Sequence, residues 1–206
     1  MSTSTRKYRS LWWFLLPLLF QTMLIVSIPA QAFSTRLVGT TVILQTIPID
    51  PYDLMRGYYQ TLRYDISRTT NLQNLPGWKS ITETSPSESE YITPGTQLHV
   101  ILEKPSKSAA ETLPPPAWQA VAVSPKRPKS LPRDRVTIQG EVKSGWIEYG
   151  LERYYMPEDQ REEINRQIRQ LANPRNERPF VVEVKVDPQG NAVPIRLWIG
   201  DRNYEF

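Results

Sequence analysis

The chain contains no cysteine. That excludes disulfides, thiolate metal sites, iron–sulfur clusters and a cysteine nucleophile, and it suits a compartment where a stray thiol would be oxidised. Histidine occurs once, at His99, so no second imidazole exists to build a zinc site and no triad partner stands beside it. Glycine is scarce, with 9 residues against 19 prolines, and none of it forms a glycine-rich phosphate loop. Proline interrupts helices, so this balance favours a β-rich domain with stiff loops over a helical bundle. Excess charge is also nearly absent. The net charge is +4, but Arg6, Lys7 and Arg9 supply three of those charges before the first apolar run. The remainder is close to neutral, and no nucleic-acid partner is expected. No internal repeat is present.

The strongest positive signal is the N-terminus. After the three cations, an apolar run extends from Leu11 to Ile28, broken only by Gln21, Thr22 and Ser27 and free of charge. Eighteen helical residues rise roughly 27 Å, close to the hydrocarbon thickness of a bilayer. Trp12 and Trp13 stand at the cationic end, where indoles favour the membrane interface. Pro17 is tolerated in a membrane-spanning helix. A cleaved signal peptide competes with this reading, because Ala30-Gln31-Ala32 has the small-x-small form of a cleavage site. The run is longer than the ~7–15 apolar residues of a usual signal core, which favours an uncleaved anchor. Either way the positive flank stays cytoplasmic and the rest of the chain crosses the membrane. The expected division is a cytoplasmic tail and anchor over residues 1–32 and an extracytoplasmic domain over residues 33–206.

Within that domain, "GTTVILQTIPID", "YYQTLRYDIS", "TQLHVILEK", "AWQAVAVS", "VTIQGEV" and "WIEYGLERYYM" read as strands by β-branched content or alternation. Residues 71–90, polar and rich in Ser, Thr and Pro, read mostly as loop. "PEDQREEINRQIRQLANP" changes period: Ile164, Ile168 and Leu171 recur at helical spacing, with acids at its start and Asn173-Pro174 as its stop. "PFVVEVKV" and "AVPIRLWIG" flank "DPQGN" as a hairpin. The expectation is a mainly β fold: one antiparallel β barrel- or sandwich-like domain of seven or eight strands. A single surface helix lies in its C-terminal half, and one transmembrane helix precedes it.

Candidate sites are few. Asp50 and Asp53 with Arg56 could bind a divalent cation or act as an acid–base pair. The same spacing fits a helical turn capped by Asp50, with Pro51 at its first position, and that reading is preferred. His99 alternates with Leu98 and Val100, so it is expected to face solvent. Serine–lysine chemistry, used by membrane-anchored signal peptidases, lacks its Ser-Met-x-Pro stretch here. The basic run Lys126 to Arg135 could meet anionic headgroups or an acidic partner, but a solvated proline-rich loop is expected. No cofactor, metal or small-molecule substrate is indicated.

"PIDPYDLMRGYYQTLRYDIS" resembles the GDYXXLXY family of uncharacterised bacterial membrane-anchored proteins. Gly57, Tyr59, Leu62 and Tyr64 match its name motif, and Pro48, Asp50, Pro51, Asp53, Leu54 and Arg56 match its lead-in. "YGLERYYMPED", from Tyr149 to Asp159, is similar to a second family stretch. The motif's aspartate is Tyr58 here, which favours a structural role for the motif over a catalytic one. The resemblance implies a bacterial inner-membrane anchor with a periplasmic domain. It also implies a partner among polytopic membrane proteins, which such genes often accompany. A regular strand would split Tyr59 from Leu62 and Tyr64. The motif therefore predicts a β-bulge at Gln60-Thr61, Gly57 as a flexible turn, and Arg63 pointing outward. Two functions are carried forward. The first is a non-enzymatic, single-pass membrane protein whose β domain binds or supports a membrane or envelope partner. The alternative is a membrane-anchored hydrolase using Asp50, Asp53 and Glu148.

Overall fold

A computed structural model describes residues 5–47, 59–84, 92–105, 112–155, 161–171 and 180–206. The first element is a single helix, α1 (Thr5–Val38), whose described apolar side chains from Trp13 onward are exposed, over a length sufficient to cross a membrane. It passes through Pro17 and Pro29 and continues beyond residue 32.

Eleven strands follow among the described residues: β1 (Thr40–Ile47), β2 (Tyr59–Thr61), β3 (Arg63–Tyr64), β4 (Gln97–Glu103), β5 (Gln119–Ser124), β6 (Arg135–Lys143), β7 (Trp146–Glu148), β8 (Arg153–Tyr155), β9 (Phe180–Val186), β10 (Ala192–Ile199) and β11 (Arg202–Glu205). They form a five-stranded sheet in the order β11-β10-β9-β1-β3, a four-stranded sheet in the order β5-β4-β6-β7, and a two-stranded ribbon of β2 and β8. All pairings are antiparallel. The molecule is mostly β, as expected, with more and shorter strands than the seven or eight read from the sequence.

The alternation read from the sequence sets the inner faces. Leu98, Val100 and Leu102 on β4 are fully buried and share one continuous core with Val182 and Val184 of β9, Leu44 of β1 and Ile138 of β6. Two backbone bonds join the sheets where regular pairing stops. Trp118 N–H donates to the Ile43 carbonyl at 2.8 Å, and Gln139 N–H donates to the Gly190 carbonyl at 2.9 Å. A buried backbone group left without a partner is costly, and these bonds pair the Trp118 N–H and the Gly190 carbonyl.

Four expectations are corrected. Residues 71–90 are not simply loop: two short helices, α2 (Thr69–Leu72) and α3 (Trp78–Thr84), bury Leu72 and Ile81 completely. With these, the C-terminal surface helix α4 (Arg161–Leu171) is not the only helix of the domain. It does bury Ile164 and Ile168 as predicted. The "WIEYGLERYYM" stretch is two strands, β7 and β8, because Gly150 takes φ +78° and the chain turns there onto a different partner. His99 is 9% exposed and so does not face solvent. It lies on the central strand β4, between β5 and β6, with its Nδ1 lacking a partner among the described residues. The basic stretch from Lys126 to Arg135 is exposed at each of its cations, and Arg135, at the head of β6, is ion-paired with Glu103 at 2.6 Å.

Candidate functional site

The motif segment connects two sheets. β2 pairs with β8, placing Tyr59 opposite Tyr155 and Thr61 opposite Arg153. Leu62 N–H adds one more bond to the Glu152 carbonyl, at 2.7 Å. The chain then changes partner, and Arg63 and Tyr64 pair with Ile47 and Thr46 of β1. The expected β-bulge at Gln60-Thr61 is therefore absent, and the strand breaks at Leu62 instead. The physical reason is that a bulge adds a residue within one ladder, whereas this segment ends one ladder and opens another.

Leu62 and Tyr64 are both fully buried, and Arg63 between them is exposed, as the motif predicts. Tyr59 is placed by its backbone alone. Pro48, Asp50, Pro51, Asp53, Leu54, Arg56 and Gly57 lie outside the described residues, and with them the expected cap and turn.

The motif closes against the second family-like stretch by a reciprocal pair of buried hydroxyl bonds. Tyr64 Oη donates to the Leu151 carbonyl at 2.9 Å, and Tyr149 Oη donates to the Ile66 carbonyl at 2.7 Å. Glu152 Oε1 accepts from the Tyr149 N–H at 2.5 Å. Burial, and then the nearby Glu152 carboxylate, push both tyrosine hydroxyls well above their ordinary pKa, so they stay protonated donors. Gly140 on β6 makes room for this arrangement. A Cβ there would stand 2.5 Å from Ile147 Cγ2 and 2.8 Å from the Tyr149 ring.

What the clasp exposes is cationic and aromatic. A 3₁₀ turn over Asp65–Ser67 brings Arg68 beside β7. The Arg63 and Arg68 guanidinium carbons lie 4.7 and 5.8 Å from the centroid of the Trp146 ring. Both are within cation–π range, and neither arginine has an ion-pair partner among the described residues. Arg68 and Trp146 were not singled out from the sequence; the only signal was Trp146 at the head of a strand-like stretch.

Glu148, the third carboxylate of the hydrolase reading, is exposed on β7 and bonded to Lys143 Nζ at 3.0 Å. That hydrogen bond is the main reason the Lys143 amine is raised above its ordinary value. Glu148 faces a groove of 360 Å³ together with Glu141, Gln97 and Gln139. Glu141 is directly opposite it across the strand pair. Among the described residues no group of three His, Asp or Glu side chains could hold a metal ion.

An apolar N-terminal helix leading into a two-sheet β domain closed by a tyrosine clasp is the class of protein these features define. The family model described as GDYXXLXY protein matches residues 21–197, and the chain belongs to that family. No curated protein and no solved structure matches it.

Proposed function

We propose that this is a non-enzymatic, single-pass membrane protein of the bacterial inner membrane. Its N-terminus is cytoplasmic, and its barrel- or sandwich-like β domain is periplasmic and binds or supports a membrane or envelope partner. The observation that carries this reading is how the motif uses its side chains. Leu62 and Tyr64 fill the core, and the Tyr64 and Tyr149 hydroxyls are spent on the buried carbonyls of Leu151 and Ile66. A motif committed to holding two sheets and a ribbon together supports a structural role better than a reacting centre. The outward part of the same segment, Arg63 and Arg68 on Trp146, is where a partner's carboxylates or aromatic rings would be met.

The test is copurification from detergent-solubilised membranes. The full chain is expected to retain a membrane partner that the chain lacking residues 1–32 loses. The Arg63→Gln/Arg68→Gln pair should weaken the same capture while leaving the melting temperature nearly unchanged. Equal capture by all three, or turnover of a hydrolysable substrate abolished by Glu148→Gln, would contradict the proposal.

A further inference from the structure

The last turns of α1 are built into the β domain. Thr35 is 1% exposed within a helix otherwise exposed along its described length. Its Oγ1 donates to Asp187 Oδ2 at 2.9 Å. Asp187 opens the β9–β10 turn and also accepts from the Gln189 and Asn191 backbone N–H groups and the Asn191 side-chain amide, each at 2.9 Å. Gly39 then links helix to strand with no spare room: a Cβ there would stand 2.5 Å from the Thr35 carbonyl oxygen and 3.1 Å from Val186 N. Thr40 pairs with Val186 at once.

This junction fixes which end of the domain is nearest the membrane. β1 runs on from α1, and the β9–β10 turn projects past the start of β1, back alongside the helix. Gln31 and Ser34 of α1 therefore line one groove of 320 Å³ with Pro188, Gln189 and Asn191 of the turn. A hydrocarbon core of about 30 Å takes about 20 helical residues. Counted from Leu11, those end at Ala30, one residue before the level of the turn. Headgroups occupy roughly the next 5–8 Å.

Resting on the membrane-anchor reading above, we infer that the β9–β10 turn, Asp187 to Asn191, is a membrane-surface contact seated among lipid headgroups beside Gln31. Its chemistry fits that layer. Gln189, Asn191, Gln31 and Ser34 offer uncharged donors and acceptors to phosphate and ester oxygens, and the one carboxylate, Asp187, is turned inward to Thr35. The motif's exposed face lies at the other end. Arg63 pairs with Ile47, seven residues along β1 from Thr40, or about 23 Å of strand.

The absence of cysteine makes the test direct. Full-length Gln189→Cys and Arg63→Cys variants, each carrying one fluorophore, are reconstituted into phosphatidylcholine vesicles with and without a lipid bearing a nitroxide on its headgroup. The nitroxide should quench the label at position 189 several-fold more than the label at position 63. Equal quenching at both positions, or none at either from protein that floats with the vesicles, overturns the placement of the turn and leaves the anchor standing. Protein that fails to float with the vesicles overturns the anchor and the placement together.

Discussion

At the scale of single residues, the motif separates into side chains that hold the fold and side chains that face out. Leu62→Ala should cost about 2–5 kcal/mol, because a fully buried leucine leaves a cavity among two sheets and a ribbon; urea unfolding of the detergent-solubilised chain measures it. Tyr64→Phe and Tyr149→Phe each strand one buried carbonyl, and each should cost about 1–3 kcal/mol in the same assay. Arg63→Gln should cost no more than about 1 kcal/mol, the upper range of an exposed cation–π contact. His99 gives a pH signature. Burial first, then the Arg127 charge, lower its pKa from the ordinary 6.5. The folded state therefore stays neutral at a pH where the unfolded chain takes up a proton. Stability from this residue is present above pH 6.5 and is lost as pH falls below it toward the lowered folded value. Thermal melts of His99→Gln should lose less stability than wild type between neutral pH and pH 5.5. A parallel decline in both would contradict a buried, neutral histidine.

At the scale of elements, β4, β6, β9 and β10 carried the burial of their inner faces in the sequence, though not that of His99 on β4 or Val181 on β9. So did α4, through the spacing of Ile164, Ile168 and Leu171. What escaped were short elements set by distant partners. Leu72 and Ile81 are isolated apolar residues in polar surroundings, and only the core they plug makes α2 and α3 visible. β11 has the polar sequence of an edge strand, held by Tyr204 Oη on Gln167 Oε1 at 2.8 Å and Arg202 on Glu163 at 3.1 Å. The strand break at Leu62 depends on two ladders far apart in sequence, so local periodicity suggested a bulge in its place. The tyrosine clasp was half legible: Tyr64 stood in the motif, whereas the role of Tyr149 required the fold. The helix–strand junction makes its own prediction. Gly39→Ala forces a Cβ into the Thr35 carbonyl and should cost about 1–3 kcal/mol as an overpacking change. It should also expose residues 34–40 to protease in vesicle-bound protein. Unchanged cleavage would mean that helix and domain are not locked together.

At the scale of the whole molecule, one end of the β domain is set by the apolar N-terminal helix and the other by the family motif. The turn bound to Thr35 lies beside the helix, and the Arg63–Trp146–Arg68 face lies a strand's length away. A protein so arranged would present its motif end to whatever stands above the bilayer, and its position would depend on an uncleaved helix. The most direct test of that account is the chain's topology, read with a C-terminal reporter that is active only outside the cytoplasm in bacterial cells expressing the full chain. The account predicts an active reporter in the membrane fraction, on a chain whose intact mass includes residues 1–32. An inactive reporter, or an active one on a soluble chain beginning at Phe33, would contradict it.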